Sequence, residues 1–437
     1  MKHYHLTGVA GVGMSALAQV LVAYPYEVTG SDRYYDQGAD LEVIKKLRCA
    51  GIRFVPQNGS GLTKETLGLI VSTAIEKDNP DLITARQLGV PVIHRAEMLA
   101  RLVQGKQTIA IAGTAGKTTV AGLVGWTLSY MDKNPSVVNG GAIVNWVDEK
   151  HMGNVRIGSP DLWVIEVDES DKSLLYFKPT WAVITNISKD HFELEEVIEI
   201  FRKFSGKVQK DIICGSGVPA LIGRSEKCFG PIEKRKNGFV YKDVELETVL
   251  MGSHNIDNAF LATVLCERLG LSLWDIREAL RAFKGIERRL EVVGEAGGVC
   301  VVDDYAHNPV KIQAAWTTVA STCQRVLGVW RPHGYAPLSM MMQEFVDGFV
   351  SVLRPKDRLF ILPVYYAGGT TTKSVSSEDL VDTLIQCGLP VAYVPDYQTL
   401  FHIMRGSVKQ GDTMLCMGAR DPDLPLFARR LAHNGQI

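Results

Sequence analysis

Gly113-Thr114-Ala115-Gly116-Lys117-Thr118-Thr119 sets a lysine and two hydroxyls directly after a turn bounded by glycines. Those residue types in that order hold phosphate. Backbone N–H groups at a helix N-terminus face the anion, and the helix dipole adds partial positive charge. Lys117 reaches the β- and γ-phosphates of a nucleotide, and the Thr118 hydroxyl is placed to ligate Mg²⁺. The turn needs a strand before it and a helix after it. Thr108-Ile109-Ala110-Ile111-Ala112 reads as a buried strand, and Val120 to Leu128 reads as a buried helix. The P-loop pattern is incomplete, because Ile111 stands where its first glycine belongs.

A second apolar run, Leu162 to Val167, delivers Glu166, Asp168, Glu169 and Asp171. A third, Trp181 to Asn186, runs toward Asp190-His191. In an open α/β sheet the site lies beyond the carboxyl ends of the strands. Acidic groups facing a phosphate cradle point to Mg²⁺, which prefers hard oxygen ligands. Thr118 and Glu166 are the first candidates, and His191 is a candidate for a second cation. Asn255 and Asn258 are three apart, so they share a helical face. Their amides offer the donor and acceptor that an adenine edge requires, although caps are the commoner use of such residues. An aspartate in Asp303-Asp304-Tyr305, at another strand end, is placed to hold ribose hydroxyls.

The N-terminus has its own glycine turn. Strand His3–Thr7 leads into Gly8-Val9-Ala10-Gly11-Val12-Gly13-Met14, a helix follows, and a second strand ends at Ser31-Asp32. This is a βαβ unit suited to a nucleotide or phosphosugar. Its G-x-x-G-x-G spacing differs from the usual G-x-G-x-x-G.

Around these sites the chain is an ordinary soluble α/β sequence. It has 437 residues, 46% hydrophobic and 22% charged, with a net charge of -1. There is no basic excess for nucleic acid or an anionic membrane. Eight cysteines stand singly with no C-x-x-C pair. A zinc ribbon or redox motif is therefore not expected, and a reduced, cytoplasmic protein is. No signal peptide or membrane-spanning run is expected. A monomer or weak homodimer is expected. The alternation of strands and helices predicts three domains at 1–103, 104–290 and 291–437. The first carries the βαβ unit, the middle one the P-loop on a mostly parallel sheet, and the last alternates strands with helices again.

The ordered set of motifs resembles the Mur ligases, the ATP-dependent amino-acid ligases of peptidoglycan assembly. It runs from Gly8–Ser15 and Gly30-Ser31-Asp32 through Ser72-Thr73-Ala74-Ile75, Asn79-Pro80 and His94–Leu99 to the P-loop. It continues with Glu166–Asp171, Thr185-Asn186-Ile187, Asp190-His191, Gly252–Asn255 with Asn258, Arg288-Arg289 and Asp303-Asp304-Tyr305. The likeness covers essentially the whole chain. It is nearest the branch that adds L-alanine to a UDP-N-acetylmuramate carboxylate.

The resemblance implies a Rossmann-like first domain for the UDP-sugar, a central P-loop ATPase, and a Rossmann-like third domain that closes over the site. It implies ATP and Mg²⁺, and an acyl phosphate attacked by an amine. Lys117 would then bind the γ-phosphate, with Gly113, Thr114, Gly116 and Thr119 lining the cradle. Thr118, Glu166 and His191 would serve metal, Asn255 and Asn258 adenine, and Asp304 ribose. Arg289 would lie near the phosphates, and His307 would face the acceptor. Substrate would meet Gly11, Gly13, Met14, Asp32, Ser72, Thr73, His94 and Arg95 in the first domain, and Arg331, His333 and Tyr335 in the third.

Three departures mark this chain. Ala115 replaces the family histidine in the P-loop, and Ala306-His307-Asn308-Pro309 replaces Gly-His-His-Pro. Pro332-His333-Gly334-Tyr335-Ala336-Pro337 also lacks both arginines of the family segment Pro-His-Arg-Tyr-x-Arg. A guanidinium is a planar fork for carboxylates, so the acceptor stays open. It is L-alanine, another small amine, or a ready-made peptide as in a recycling ligase. A paralogue acting on a different acid is a further reading. A non-catalytic nucleotide-sugar binder is the alternative of another class.

Overall fold

Short apolar strands separated by helices build parallel sheets, because a parallel neighbour is reached only through a crossover that covers the sheet. The structure is a computed structural model that describes residues 2–189, 192–223, 232–366 and 375–433. The chain divides into two compact units. One comprises Met1–Val249 with His254–Ile286, the other Leu250–Ser253 with Glu287–Ile437.

The first unit holds two such sheets. Strands β1 (Lys2–Thr7), β2 (Tyr26–Ser31), β3 (Arg53–Phe54), β4 (Gly68–Val71) and β5 (Val92–His94) lie in the order β3-β2-β1-β4-β5, all parallel. The order reverses at β1, so the Gly8–Gly13 turn opens at the switch point, where such sheets bind ligands. The second sheet contains β6 (Gln107–Ala112), β7 (Pro135–Val138), β8 (Val155–Arg156), β9 (Ser159–Glu166), β10 (Trp181–Ile184) and β11 (Asp211–Cys214). Their order is β11-β10-β6-β9-β7-β8, parallel except for β7 with β8. Strand β6 therefore lies between β9 and β10. Ile111 is level with Glu166 and Ala112 with Ile184, so the phosphate turn emerges between the acidic loop and Thr185-Asn186.

The polar stretch 234–247, read as a hairpin or surface loop, forms the antiparallel sheet β12 (Glu233–Arg235), β13 (Gly238–Tyr241) and β14 (Val244–Glu247). In the second unit β15 (Glu291–Ala296), β16 (Val299–Asp304), β17 (Arg325–Arg331), β18 (Arg358–Ile361), β19 (Val391–Tyr393) and β20 (Asp412–Gly418) take the order β15-β16-β20-β17-β18-β19. Only β15 runs antiparallel, at the edge.

Trp163, Phe201 and Phe204 are fully buried in the first unit, and Trp316, Trp330 and Phe349 in the second. Each such side chain contributes roughly 1.5–3 kcal/mol by leaving water. No disulfide links the described cysteines. Among the described residues no helix is long and apolar enough to cross a membrane.

Candidate active site

The helix Lys117–Tyr130 begins at Gly116, whose φ of 82° is open to glycine at little cost. A Cβ at Gly116 would run into the Asn258 amide, and one at Gly113 into the Thr185 hydroxyl. Both glycines are therefore required by close neighbours as well as by the turn. The loop is stitched to the end of β10. Ala115 N–H donates to Asn186 Oδ1 at 3.1 Å, and Ala115 C=O accepts from Asn186 Nδ2 at 2.9 Å and from the Thr185 hydroxyl. Thr114 N–H donates to the Asn186 carbonyl at 3.1 Å, and its hydroxyl accepts from Ser188 N–H at 3.0 Å. Thr119 is buried in the first turn of the helix.

Lys117 turns back over the loop. Its ammonium donates to the Gly113 carbonyl at 2.8 Å and to Glu169 Oε2 at 2.6 Å, and lies 3.6 Å from Asp168. Burial works against its charge, but Glu169 and Asp168 outweigh it and hold the lysine protonated. Burial pushes the Glu169 carboxyl up to about 7, against the pull of Lys117. The Thr118 hydroxyl donates to Glu166 Oε1 at 3.1 Å, and Glu166 Oε2 accepts from Gly140 N–H at 2.7 Å. A hydroxyl beside a carboxylate is the hard-oxygen donor set that suits Mg²⁺. The glycine cradle and lysine likewise fit a nucleotide phosphate. His191, with Asp190, lies outside the described residues.

Asn255 and Asn258 are buried on the helix Ser253–Arg268, joined by a 3.1 Å hydrogen bond from Asn258 Nδ2 to Asn255 Oδ1. Asn258 packs directly on the Gly116 turn.

At the first sheet, Gly11 caps the helix Val12–Val22. The Asp32 carboxylate accepts from Ala10 N–H at 2.9 Å and Tyr34 N–H at 3.0 Å, so it braces the glycine turn from below. Burial raises its pKa in spite of those two donors. Met14 is buried in the core, one side of the helix having to face the sheet. Ser72 and Thr73 follow β4 on the same rim. The Arg95 guanidinium lies against Gly13. His94 and Arg95 both reach toward Asp171 of the acidic loop, at 3.5 and 3.7 Å, and the His94 ring stacks on Tyr176. Burial lowers the His94 pKa, against the pull of Asp171.

In the second unit, Asp304 accepts from Leu290 N–H at 2.8 Å and Ala306 N–H at 2.7 Å. Burial raises its pKa, and the positive charge of Arg289 opposes this. Arg289 stands over the Tyr305 ring. His307 Nδ1 lies 2.8 Å from the Tyr305 carbonyl, which places the proton on Nδ1 and leaves Nε2 an acceptor. The His307 and His333 rings meet edge to face at 5.2 Å. Burial pushes both pKa values down to about 4. Tyr335 opens the short helix Tyr335–Met340 and faces the Tyr366 ring. Arg331 is committed elsewhere. It donates to Asp421 at 2.8 Å and to the Pro363 carbonyl at 3.2 Å, between the rings of Tyr365 and Tyr397.

The sequence reading of single sites missed Thr185, Asn186, Gly140 and the Lys117 partner Glu169. Thr185, Asn186 and Glu169 stand inside motifs already singled out, but their contacts join residues 52 to 71 positions apart.

Residues 3–107 match the Mur ligase family, catalytic domain, residues 111–213 the Mur ligase middle domain, and residues 288–420 the Mur ligase, glutamate ligase domain. The chain is 33% identical to the UDP-N-acetylmuramate–L-alanine ligase of Carboxydothermus hydrogenoformans, over 96% of this chain and 94% of that one. It is 34% identical to the Rhizobium meliloti protein of the same name, over 95% and 93%. A crystal structure of the UDP-N-acetylmuramate–alanine ligase from Thermotoga maritima superposes with a TM-score of 0.80, at 26% identity over 98% of both chains. With three Mur ligase domains matched in order and relatives above 30% identity along nearly the whole length, the chain belongs to the Mur ligase family.

Proposed function

We propose that this chain is an ATP-dependent ligase joining an amino acid to the carboxylate of UDP-N-acetylmuramate or a close relative, with release of ADP and phosphate. In this reading residues 1–103 hold the UDP-sugar, 104–290 the nucleotide and 291–437 the acceptor. The observation that carries it is the set of Lys117, Thr118 and Glu166 around one glycine turn, in a chain similar end to end to alanine-adding ligases.

The chemistry must bring two anions together. A substrate carboxylate oxygen forms a bond to the γ-phosphorus while the bond to ADP breaks. Lys117 neutralises charge on the transferred phosphoryl group, moving from Glu169 toward the phosphate. Glu169 is then free to take a proton, which its burial favours. Thr118 and Glu166 would hold Mg²⁺, which supplies Lewis-acid stabilisation of the phosphate oxygens. His191 is assigned to a second cation by resemblance. Asn186 and Thr185 keep the loop N–H groups aimed at the anion. By resemblance Asn255 and Asn258 would serve adenine, Asp304 ribose and Arg289 the phosphates. The acceptor amine nitrogen then attacks the acyl carbon, phosphate leaves, and His307, assigned to the acceptor by resemblance, would take the amine proton on Nε2.

ADP release tests this. UDP-N-acetylmuramate is offered with glycine, L-alanine, L-serine and a tripeptide. Amino-acid-dependent ADP release is expected. A strong preference for the tripeptide would indicate the recycling type of ligase. No turnover with any acceptor would leave a binding protein.

A further inference from the structure

Gly334 and Pro337 remove the two guanidinium groups expected at the acceptor carboxylate, and Arg331 is bound to Asp421. The sheet order supplies another cation. Strand β20 lies between β16 and β17, with Met417 level with Asp304 and Gly418 level with Arg331. Just beyond the three strand ends stand His307, Arg420 and His333. One arginine therefore sits at the carboxyl rim of the sheet, between strands that carry two neutral imidazoles.

Arg420 is exposed, while its neighbours Ala419 and Asp421 are buried. Among the described residues no carboxylate forms an ion pair with it. Its charge reaches His333 and adds to burial in keeping that imidazole neutral. The backbone there is unusual. Arg420 has φ 64°, and Asp421 N–H donates to the Ala419 carbonyl at 2.8 Å across it. A three-residue turn with positive φ at its centre is rare and strained. Such strain persists where the surroundings over-determine it. Here Asp421 is fastened by Arg331, by the Tyr397 hydroxyl and by Asp423 N–H. Arg331 thus acts as a positioning residue whose anchor holds the next arginine out at the rim.

We propose that Arg420, at the end of β20 and between the strands that lead to His307 and His333, binds the carboxylate of the incoming amino acid. The inference rests on the ligase reading above. A guanidinium pairs with both carboxylate oxygens through parallel N–H donors. The neutral His333 ring can add a hydrogen bond, and His307 is left for the amine.

Steady-state ADP release by the full chain tests the proposal, using whichever of glycine, L-alanine or L-serine the wild type uses best, together with its carboxamide. Arg420→Gly removes the guanidinium, and glycine adopts positive φ freely, so the turn is kept. The KM for the amino acid should rise roughly 10- to 100-fold, the worth of a hydrogen bond to a charged group. The KM for ATP and the kcat at saturating acceptor should hold. The wild-type preference for the acid over its amide should disappear in the variant, and Arg420→Lys should recover part of it. An unchanged amino-acid KM, or a preserved preference over the amide, overturns the assignment of Arg420 and leaves the ligase reading standing. No ADP release by the wild type with any amino acid overturns that reading, and the anchor with it.

Discussion

The Lys117 ammonium rests 2.6 Å from the Glu169 carboxylate, with only 13% and 4% of the two side chains exposed. The cation meant for phosphate is thus paired with a buried acid. Lys117→Ala removes the one cation in the turn. We expect turnover to fall at least ~100-fold, in line with loss of one electrostatic stabiliser. Circular dichroism should show the fold retained, because Glu169 can protonate near neutral pH and avoid a buried unpaired charge.

Glu166→Gln keeps the size of the side chain and its hydrogen bond from Gly140 while removing the charge. The Mg²⁺ concentration giving half-maximal turnover should rise at least ~10-fold, since hard cations favour anionic oxygen. A titration of ADP release against Mg²⁺ measures it. An unchanged midpoint would move the ligand assignment to Asp168.

Arg331→Ala should cost stability. It leaves the fully buried Asp421 carboxylate without its ion-pair partner. Breaking a buried pair by removing one member typically costs about 3–5 kcal/mol. Arg331 is one-fifth exposed, so about 2–3 kcal/mol is expected, read from the urea midpoint. A loss below about 1 kcal/mol would show that Asp421 does not depend on Arg331.

The two imidazoles of the second unit set a pH dependence. Burial holds His307 and His333 at about 4, below the ordinary 6.5. Between pH 4 and 6.5 the unfolded chain therefore binds more protons than the folded one at these positions, so they make stability rise with pH across that window. Asp303, raised by burial to about 7, acts the other way between about 4 and 7. Asp303→Asn should steepen the rise in stability from pH 4.5 to 6.5. His307→Gln with His333→Gln should flatten or invert it. Urea titrations at several pH values decide this, and identical slopes in all three proteins would refute it.

The phosphate turn was legible in the residues themselves. A glycine at positive φ, a lysine at the first helical position and a flanking apolar strand act within a dozen residues, so their order carries their geometry. The same holds for the Gly8–Gly13 turn and for the acidic loop after β9. Strand β7 went unread because Pro135-Ser136 opens it and leaves only Val137-Val138 as an apolar signal, so its place between β9 and β8 is what makes it a strand. What the sequence could not order was the set of side chains meeting across it. Asn186 and Thr185 reach Ala115 because β10 pairs with β6, and Glu169 reaches Lys117 because β9 pairs with β6 on the other side. Counting arginines near Pro332 pointed to Arg331. Only the placement of Tyr365, Tyr397 and Asp421 around it decided that its charge is consumed within the fold, while Arg420 remains at the rim. Local chemistry depends on neighbours along the chain. Charge pairing depends on which strands lie side by side, and that order is settled by packing of the whole sheet.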